Sequence, residues 1–520
     1  MTAEHRKLGV PRPVILILLA LTLYYSFEFR TLRIDLSPGW FRDEGTYIEI
    51  TRRLIHAQLQ FGAINVTFVG PYMTHPPVYF LLASLYLKIT RPDMYSFRMF
   101  NALLGVLATL LIFFLGHEAG RYKDESDESP NLYAETLGLL AAFFFAIHKD
   151  AVTYNRMGFP YNLYLVEAVL VAWFTLRYLR KRDFLWCLLA CFVAAIALMT
   201  VYYAIVFLPF LFLVILSMKK PKHFWALAII PLPLLFFLCF MAFSGTPGFW
   251  DDINVLRKDA STGPLFYTLY HYHDFFQTGL TYFIGMAGLF LIKRKSAGKY
   301  LFILYLLMMH IVLRRYDTII RFVHYPVIPL LPFVALGCAA FALFCWNSIY
   351  TSRPAFALLL IPIILASYLS IYQVKHGIWG KFYSPLEFCM TKNVQDTYDV
   401  AIHLKNKIRP NDLVISNSQI WSLLPGRNAE ISQSLAFEGK KVDFYKNALS
   451  RERFLFSPAI ENAAFVIMDN LTDQWKLIPP DNPQAPLRDA IFKIEKNWIL
   501  FLEKGEYRVY KNPNRPQQKS

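Results

Sequence analysis

The sequence predicts a polytopic α-helical membrane protein, of about 11 to 13 transmembrane helices, with a soluble α/β domain at its C-terminal end. Of the 520 residues, 56% are hydrophobic, which exceeds the roughly 45 to 50% of soluble domains. The mean hydropathy is +0.35, and several apolar runs approach the roughly 20 residues that cross about 30 Å of hydrocarbon. After about residue 376 these long runs give way to short ones.

A series of apolar runs supplies the candidate membrane segments. They cover roughly residues 12–29, 77–90, 98–116, 133–148, 159–177, 184–200, 202–217, 223–243, 279–293, 299–313, 321–345 and 355–373. The run at 77–90 has about 14 apolar residues after two prolines, which is short of a span and typical of a re-entrant or interfacial helix. We therefore expect about 11 crossings, with 12 or 13 as alternatives.

The basic residues orient these segments. The chain has 53 Lys and Arg against 37 Asp and Glu, a net charge of +16, and its cations cluster at the ends of apolar runs. Positive connections favour the cytoplasmic side, so 177–182, 219–222 and 293–299 are expected there, together with the N-terminus. Anchoring accounts for most of this charge, part of which can serve an anionic lipid substrate. We expect no nucleic-acid partner.

Two domains follow from the change in composition. Residues 1–375 are predicted to form the membrane domain, with a first outer loop at 30–76, and residues 376–520 an extracytoplasmic α/β domain. In the latter, short apolar strands at Asp412–Ser416, Ala464–Asp469 and Glu506–Tyr510 alternate with helix-compatible stretches. We expect an integral protein of the bacterial inner membrane.

The first outer loop carries adjacent acids, Asp43 and Glu44. Long polar loops at a membrane face are usually functional. Two carboxylates before a helix-compatible run can supply a general base, a metal ligand, or both. They can equally be the acids that favour the N-terminus of a helix, and the spacing alone leaves both interpretations open.

The same loop ends in the sequence Tyr72-Met-Thr-His75-Pro-Pro. Two prolines fix the backbone at the entry to an apolar helix and hold His75 at the membrane surface. Tyr72 and His75 are therefore candidate substrate-binding residues. Taken alone, the motif is also a common way to begin a helix.

Basic side chains on the outer side are candidate ligands of a phosphate group. An Arg at or within a membrane helix is a functional hypothesis by default, and its fork matches two phosphate oxygens. Interfacial snorkelling is the alternative, chiefly for the adjacent pair at 314 and 315. The candidates are Arg156, Arg314, Arg315, Arg321 and His324.

A metal ligand set is less defined. His271 and His273 lie in the loop at 244–278, two residues apart and next to an Asp. No third spaced ligand is evident, so ordinary loop polarity is the alternative. A divalent cation held by Asp43, Glu44, His271 and His273 remains a hypothesis.

The order and sidedness of these motifs resemble the GT-C superfamily of glycosyltransferases. The resemblance covers roughly residues 10–345 and is strongest to the branch of protein O-mannosyltransferases and lipid A aminoarabinose transferases. It rests on the acidic pair, the His75-Pro-Pro entry, Arg156 opening a helix, and Arg321, where Phe322 replaces the usual Tyr of the late motif.

The resemblance implies an inverting transferase whose donor is a sugar on a polyprenyl phosphate. It implies Asp43 as general base with Glu44 assisting, and Arg and His groups as ligands of the donor phosphate. The acceptor would be an envelope lipid, a glycan or a protein. A transporter or flippase of lipid-linked sugars is the alternative, although paired repeats and midplane charges typical of transporters are not evident. A non-catalytic lipid-binding protein is a third hypothesis.

Overall fold

The structure is a computed structural model of the whole chain. It describes residues 12–55, 75–121, 131–243, 280–316, 325–348, 358–380, 389–442, 451, 454 and 456–514. The side chains at 311–316, 325 and 326 lie outside this description.

Most of the described residues are helical. The α-helices are α1 Arg12–Thr31, α2 Arg42–Ile55, α3 Val78–Ile89, α4 Met94–Gly120, α5 Leu132–Ile147, α6 Lys149–Asn155, α7 Pro160–Lys181, α8 Phe184–Leu198, α9 Phe207–Ser217, α10 Leu232–Phe243, α11 Leu280–Leu289, α12 Lys295–Tyr316, α13 Leu331–Ser348, α14 Leu360–Trp379, α15 Val394–Lys405, α16 Ile431–Phe437, α17 Asn470–Lys476 and α18 Ala485–Asn497. Further 3-10 helices include Tyr202–Val206, Pro221–Ile229 and Tyr325–Leu330.

Five helices of the described chain are long and apolar enough to cross a membrane. They are Arg12–Thr31, Met94–Gly120, Pro160–Lys181, Pro221–Phe243 and Val327–Ser348. The number rises to six if α5 and α6, bent by 64°, form one span. This confirms a polytopic helical membrane protein, while the number of crossings stays a prediction. Helix α3 has 12 residues, about 18 Å at 1.5 Å per residue, which is shorter than the roughly 30 Å of hydrocarbon; that this run does not cross the membrane stays a prediction.

Local signals set several helix boundaries. The side chain of Asn131 accepts a hydrogen bond from the backbone of Ala134 and caps α5, and Asp183 caps α8 in the same way. Pro160 occupies the first turn of α7, where its missing N–H removes no helical hydrogen bond. Such caps satisfy amide groups that a helix leaves without partners, so the sequence itself determines where these helices begin.

Glycines allow two membrane helices to approach closely. A β-carbon added to Gly288 of α11 would lie 1.9 Å from the carbonyl oxygen of Gly337 in α13. Small residues at such a crossing bring the two backbones together, as is typical of helix packing in lipid.

The C-terminal part contains a mixed five-stranded sheet in the order β2-β1-β3-β5-β4. Its strands are β1 Leu413–Ile415, β2 Arg427–Ala429, β3 Ala463–Met468, β4 Ile499–Lys504 and β5 Tyr507–Lys511. Strands β2, β1 and β3 are parallel, and β5 is antiparallel to both β3 and β4. The three predicted strands are confirmed as β1, β3 and β5, and the domain is α/β as expected.

The described residues divide into two compact units. Those of 1–32, 99–236 and 259–382 form the first, which contains most of the membrane helices. Those of 33–98, 237–258 and 383–520 form the second. The segment that follows α1, with its acidic pair, therefore belongs to the same unit as the C-terminal sheet.

Candidate active site

Helix α2 begins beside the acidic pair and carries both acids in its first turn. The Glu44 carboxylate reaches back and accepts a hydrogen bond from the backbone N–H of Phe41, at 2.9 Å. This is one half of a capping box, in which the third helical residue satisfies the amide that precedes the helix. Acids in the first turn also interact favourably with the helix dipole. Glu44 therefore defines where α2 starts.

Glu44 also forms a fully buried ion pair with Arg98 of α4. The Arg98 guanidinium donates to both carboxylate oxygens, at 2.8 Å from Nε and 2.5 Å from Nη2. Its remaining N–H groups donate to the backbone carbonyls of Ile34, Pro38 and Gly39, at 2.7 to 3.0 Å. The pair thus ties the start of α2 to the chain segment that leads into it. Its contacts are those of a positioning group, and a catalytic role for Glu44 stays a prediction.

Asp43 has a different environment from its neighbour. Its side chain is half-buried, and within the described ranges its carboxylate accepts no hydrogen bond and forms no salt bridge. Burial is the main cause that raises the pKa of Asp43, to about 6; Glu430 and Glu44 raise it further and Arg42 opposes them. A carboxylate that is accessible and has a pKa near the working pH is well suited to accept a proton.

Arg42, the first residue of α2, forms a second ion pair with Glu430 of the C-terminal domain. Arg42 Nε lies 2.8 Å from Glu430 Oε1, and its Nη2 donates to the other carboxylate oxygen. Both residues are buried. Asp43 therefore lies between two residues whose side chains are each held in a two-point ion pair.

His75 is joined to α2 through Tyr47. The Tyr47 hydroxyl lies 3.0 Å from His75 Nε2, and both side chains are buried. Pro76 and Pro77 follow, and α3 begins at Val78, as the sequence predicts. His75 therefore contacts the helix that carries Asp43. The role of His75 in binding substrate stays a prediction.

Arg156 lies in the other compact unit and is buried. Its Nη1 and Nη2 atoms donate to the carbonyl oxygens of Phe29 and Leu32, each at 2.8 Å. Carbonyls at the end of a helix lack helical partners, so Arg156 satisfies the C-terminal end of α1. Its predicted role in phosphate binding is not tested by these contacts.

The remaining predicted residues fall outside the description. Tyr72, His271, His273, Arg321 and His324 are not among the described residues, and Arg314 and Arg315 are described as backbone of α12 only. Across the described ranges, no group of three metal-ligating side chains occurs. The metal site therefore stays a hypothesis.

Sequence reasoning missed three residues that the structure places around the acids: Arg42, Arg98 and Glu430. Arg98 opens an apolar run, which is the same signal that singled out Arg321. Arg42 precedes the acidic pair directly. Glu430 lies in a polar stretch with no motif, and its partner is 388 residues away in sequence, so no local signal could have identified it.

A family model described as dolichyl-phosphate-mannose-protein mannosyltransferase matches residues 74–244. No curated protein was found to match the chain in sequence.

Solved structures share the fold over nearly the whole chain. The crystal structure of ArnT from Cupriavidus metallidurans bound to undecaprenyl phosphate matches with a TM-score of 0.60 at 12% identity, covering 96% of this chain and 98% of that one. The oligosaccharyltransferase AglB from Archaeoglobus fulgidus, in complex with an inhibitory peptide and a dolichol-phosphate, matches with a TM-score of 0.54 at 14% identity. That match covers 97% of this chain and 75% of AglB.

The family match and the shared fold agree with the order of motifs along the chain. The chain is therefore similar to the protein mannosyltransferase family over residues 74–244, and it shares the fold of ArnT and AglB over nearly its whole length.

Proposed function

We propose that the protein transfers a sugar, with inversion, from a polyprenyl-phosphate donor to an acceptor outside the cytoplasm. The acceptor is a lipid, glycan or protein of the cell envelope, and the membrane is that of a bacterial cell. The donor class is supported by the solved relatives, which hold undecaprenyl phosphate or dolichol phosphate. In this proposal α2 and the C-terminal domain lie on the outer side.

Asp43 acts as the general base. The acceptor hydroxyl gives its proton to the Asp43 carboxylate while its oxygen bonds to the anomeric carbon. The bond from that carbon to the phosphate oxygen breaks on the opposite face, and its electron pair leaves with the polyprenyl phosphate. Because the new bond to the anomeric carbon forms on one face while the old bond breaks on the other, the anomeric configuration inverts.

The leaving phosphate needs fixed positive charge as it departs. Donors aimed at such a developing charge typically contribute about 10²-fold or more each in rate. Arg321 and His324 are our candidates for this part of the site, because both precede the 3-10 helix Tyr325–Leu330. A divalent cation could assist at the same place.

One observation carries the proposal: Asp43 is half-buried, has a pKa raised to about 6, and is flanked by residues that are already paired. Glu44 and Arg42 have their charges neutralised by Arg98 and Glu430. Among the described residues, no side chain pairs with the Asp43 carboxylate. Of the two acids in this turn, Asp43 is therefore the one that is available to a substrate.

Glycan and lipid mass spectrometry on a deletion strain tests the proposal. We expect one glycan or lipid to lose a single sugar while a polyprenyl-phosphate sugar accumulates. The parent gene should restore the product and Asp43→Asn should not. A matched control is Glu49→Gln, which changes a carboxylate on the same helix whose ion pairs, with Arg52 and Arg53, are half-exposed.

Restoration of the product by Asp43→Asn would rule out Asp43 as the base. If the lipid-linked sugar that accumulates in the deletion strain were confined to the cytoplasmic leaflet, the protein would be a transporter.

A further inference from the structure

Polar residues follow each of the three parallel strands of the C-terminal sheet. Glu430 comes directly after β2, the stretch 416–419 follows β1, and Asp469 follows β3. Asp469 accepts hydrogen bonds from Asn417 Nδ2 and Gln419 Nε2, at 2.6 and 2.7 Å. The carboxyl edge of the sheet is therefore lined by buried polar groups that are bonded to one another.

This edge is also where the strand order reverses. From β1 the chain continues to β2 on one side, and β3 pairs on the other side of β1. In open α/β sheets, ligands bind outside the carboxyl ends of the strands at such a reversal. The fold thus directs attention to the residues between β1 and β3.

In this protein the first turn of α2 occupies that edge. Ser418 Oγ donates to the carbonyl oxygen of Arg42, at 2.6 Å. A β-carbon on Gly45 would lie 2.0 Å from the carbonyl oxygen of Ser418, so only glycine permits this approach. The first turn of α2 therefore contacts the sheet edge at the position where a ligand would be expected.

The ion pair between Arg42 and Glu430 holds this contact with directional bonds. Glu430 also begins α16 in a capping box with Gln433 and accepts a hydrogen bond from Ser432 Oγ, at 3.2 Å. Arg42 lies over the ring of Trp475, 5.8 Å from its centroid. A two-point pair between buried groups fixes orientation as well as distance.

We propose that the C-terminal α/β domain positions the catalytic loop, with Glu430 as the positioning residue that holds Arg42 and thereby orients Asp43. This inference rests on the proposed role of Asp43 as the base. Glu430 does not contact the reacting atoms in this scheme. It acts through Arg42 and the first turn of α2, where a misplacement of about 1 Å can lower a rate about 10²-fold.

The experiment compares Glu430→Gln, Glu430→Asp and Ser418→Ala with the parent full-length protein. Transfer is measured in the complemented deletion strain, and hydrogen exchange by mass spectrometry is measured on protein purified in detergent. We expect Glu430→Gln to lower transfer about 10- to 100-fold, and Glu430→Asp to recover part of it. Exchange in α2 should become about tenfold faster, while exchange in β3 should stay unchanged.

Ser418→Ala covers the case in which Glu430→Gln does not fold. It removes one hydrogen bond to Arg42 without changing charge, so a drop of a few fold and faster exchange in α2 alone are expected. Glu495→Gln is the control, since it changes an ion pair with Lys476 in the same domain that includes no residue of α2; it should behave as the parent.

Parent-like transfer and α2 exchange in both Glu430→Gln and Ser418→Ala would overturn the inference. Equal acceleration of exchange in α2 and β3 would also overturn it, because Glu430 would then stabilise the domain as a whole. An inactive Asp43→Asn beside a fully active Glu430→Gln would remove only the positioning role, whereas an active Asp43→Asn would remove the proposed base itself.

Discussion

Glu44 and Arg98 form a fully buried, two-point ion pair that joins the start of α2 to the start of α4. The two residues are 54 positions apart in sequence. Because Arg98 also donates to three backbone carbonyls of 34–39, the pair organises the chain on both sides of Asp43. The acid next to the candidate base is therefore a structural anchor in this fold.

Removal of one partner of this pair should destabilise the protein strongly. Arg98→Met leaves the Glu44 carboxylate buried without its charge partner, which typically costs about 3 to 5 kcal/mol. Thermal unfolding in detergent should show a clear loss of stability. The double variant Glu44→Gln, Arg98→Met should be less destabilised than the sum of the two single variants. Additive losses would show that the two side chains do not act as a pair.

Transfer should decline as the pH falls through about 6. The pKa of Asp43 is raised to about 6. Below that pH the Asp43 carboxylate becomes protonated and no longer accepts a proton from the acceptor hydroxyl. A pH profile of transfer by the purified protein checks this, with Glu49→Gln as a control that should keep the parent profile. A flat profile from about pH 5 to about pH 8 would contradict Asp43 as the base.

Asp43→Asn should be more stable than the parent at neutral pH. The folded-state pKa of Asp43, about 6, lies above the ordinary value of 3.8. The stability that the neutral form contributes is therefore fully present below 3.8 and is lost as the pH rises through about 6. The gain from Asp43→Asn should vanish at acid pH. Thermal unfolding of both proteins across this range measures it, and a less stable Asp43→Asn at neutral pH would be inconsistent with a half-buried carboxylate whose pKa is raised by burial.

Gly45→Ala should displace α2 without changing any charge. The added β-carbon would meet the carbonyl oxygen of Ser418 at 2.0 Å and the amide of Gln419 at 2.6 Å, and backbone atoms of this kind cannot move aside locally. Overpacking typically costs about 1 to 3 kcal/mol. We expect lower thermal stability and reduced transfer, with Glu49→Ala on the half-exposed side of α2 as the control. A fully active Gly45→Ala would mean that the contact tolerates a shift of α2.

Arg321→Ala should weaken binding of the donor lipid more than binding of the acceptor. Arg321 lies outside the described residues, and the expectation rests on its place before an apolar helix and on the resemblance to the family. Binding of undecaprenyl phosphate to the purified protein measures the effect, with Arg488→Ala in the C-terminal domain as the control. Unchanged affinity for undecaprenyl phosphate would remove Arg321 from the phosphate site.

The sequence predicted the elements whose signals are local. Runs of apolar residues coincide with α1, α3 to α5 and α7 to α14, because the hydrocarbon requires continuous apolar length and internally bonded backbone. Strands β1 and β3 were recognisable because they are short runs of apolar residues, all of which the fold buries. Strand β2 is only partly buried, and its sequence carries no apolar run. Strand β4 was not predicted although four apolar residues, Ile499 to Leu502, begin it, and it is largely exposed.

The acidic pair shows what a local sequence pattern cannot determine, namely which of two adjacent acids forms an ion pair. The sequence by itself determined that Asp43 and Glu44 lie in a polar loop before a helix-compatible run. It left open whether they are the acids of a helix N-terminus, where carboxylates satisfy amides and the helix dipole, or groups that carry chemistry. Only the tertiary structure decided which acid stays available, since Arg98 neutralises Glu44 across 54 residues and Glu430 neutralises Arg42 across 388. Ion pairs of this kind depend on distances in the folded chain, and adjacent residues with the same charge acquire different chemistry when, among the described residues, only one of them forms an ion pair.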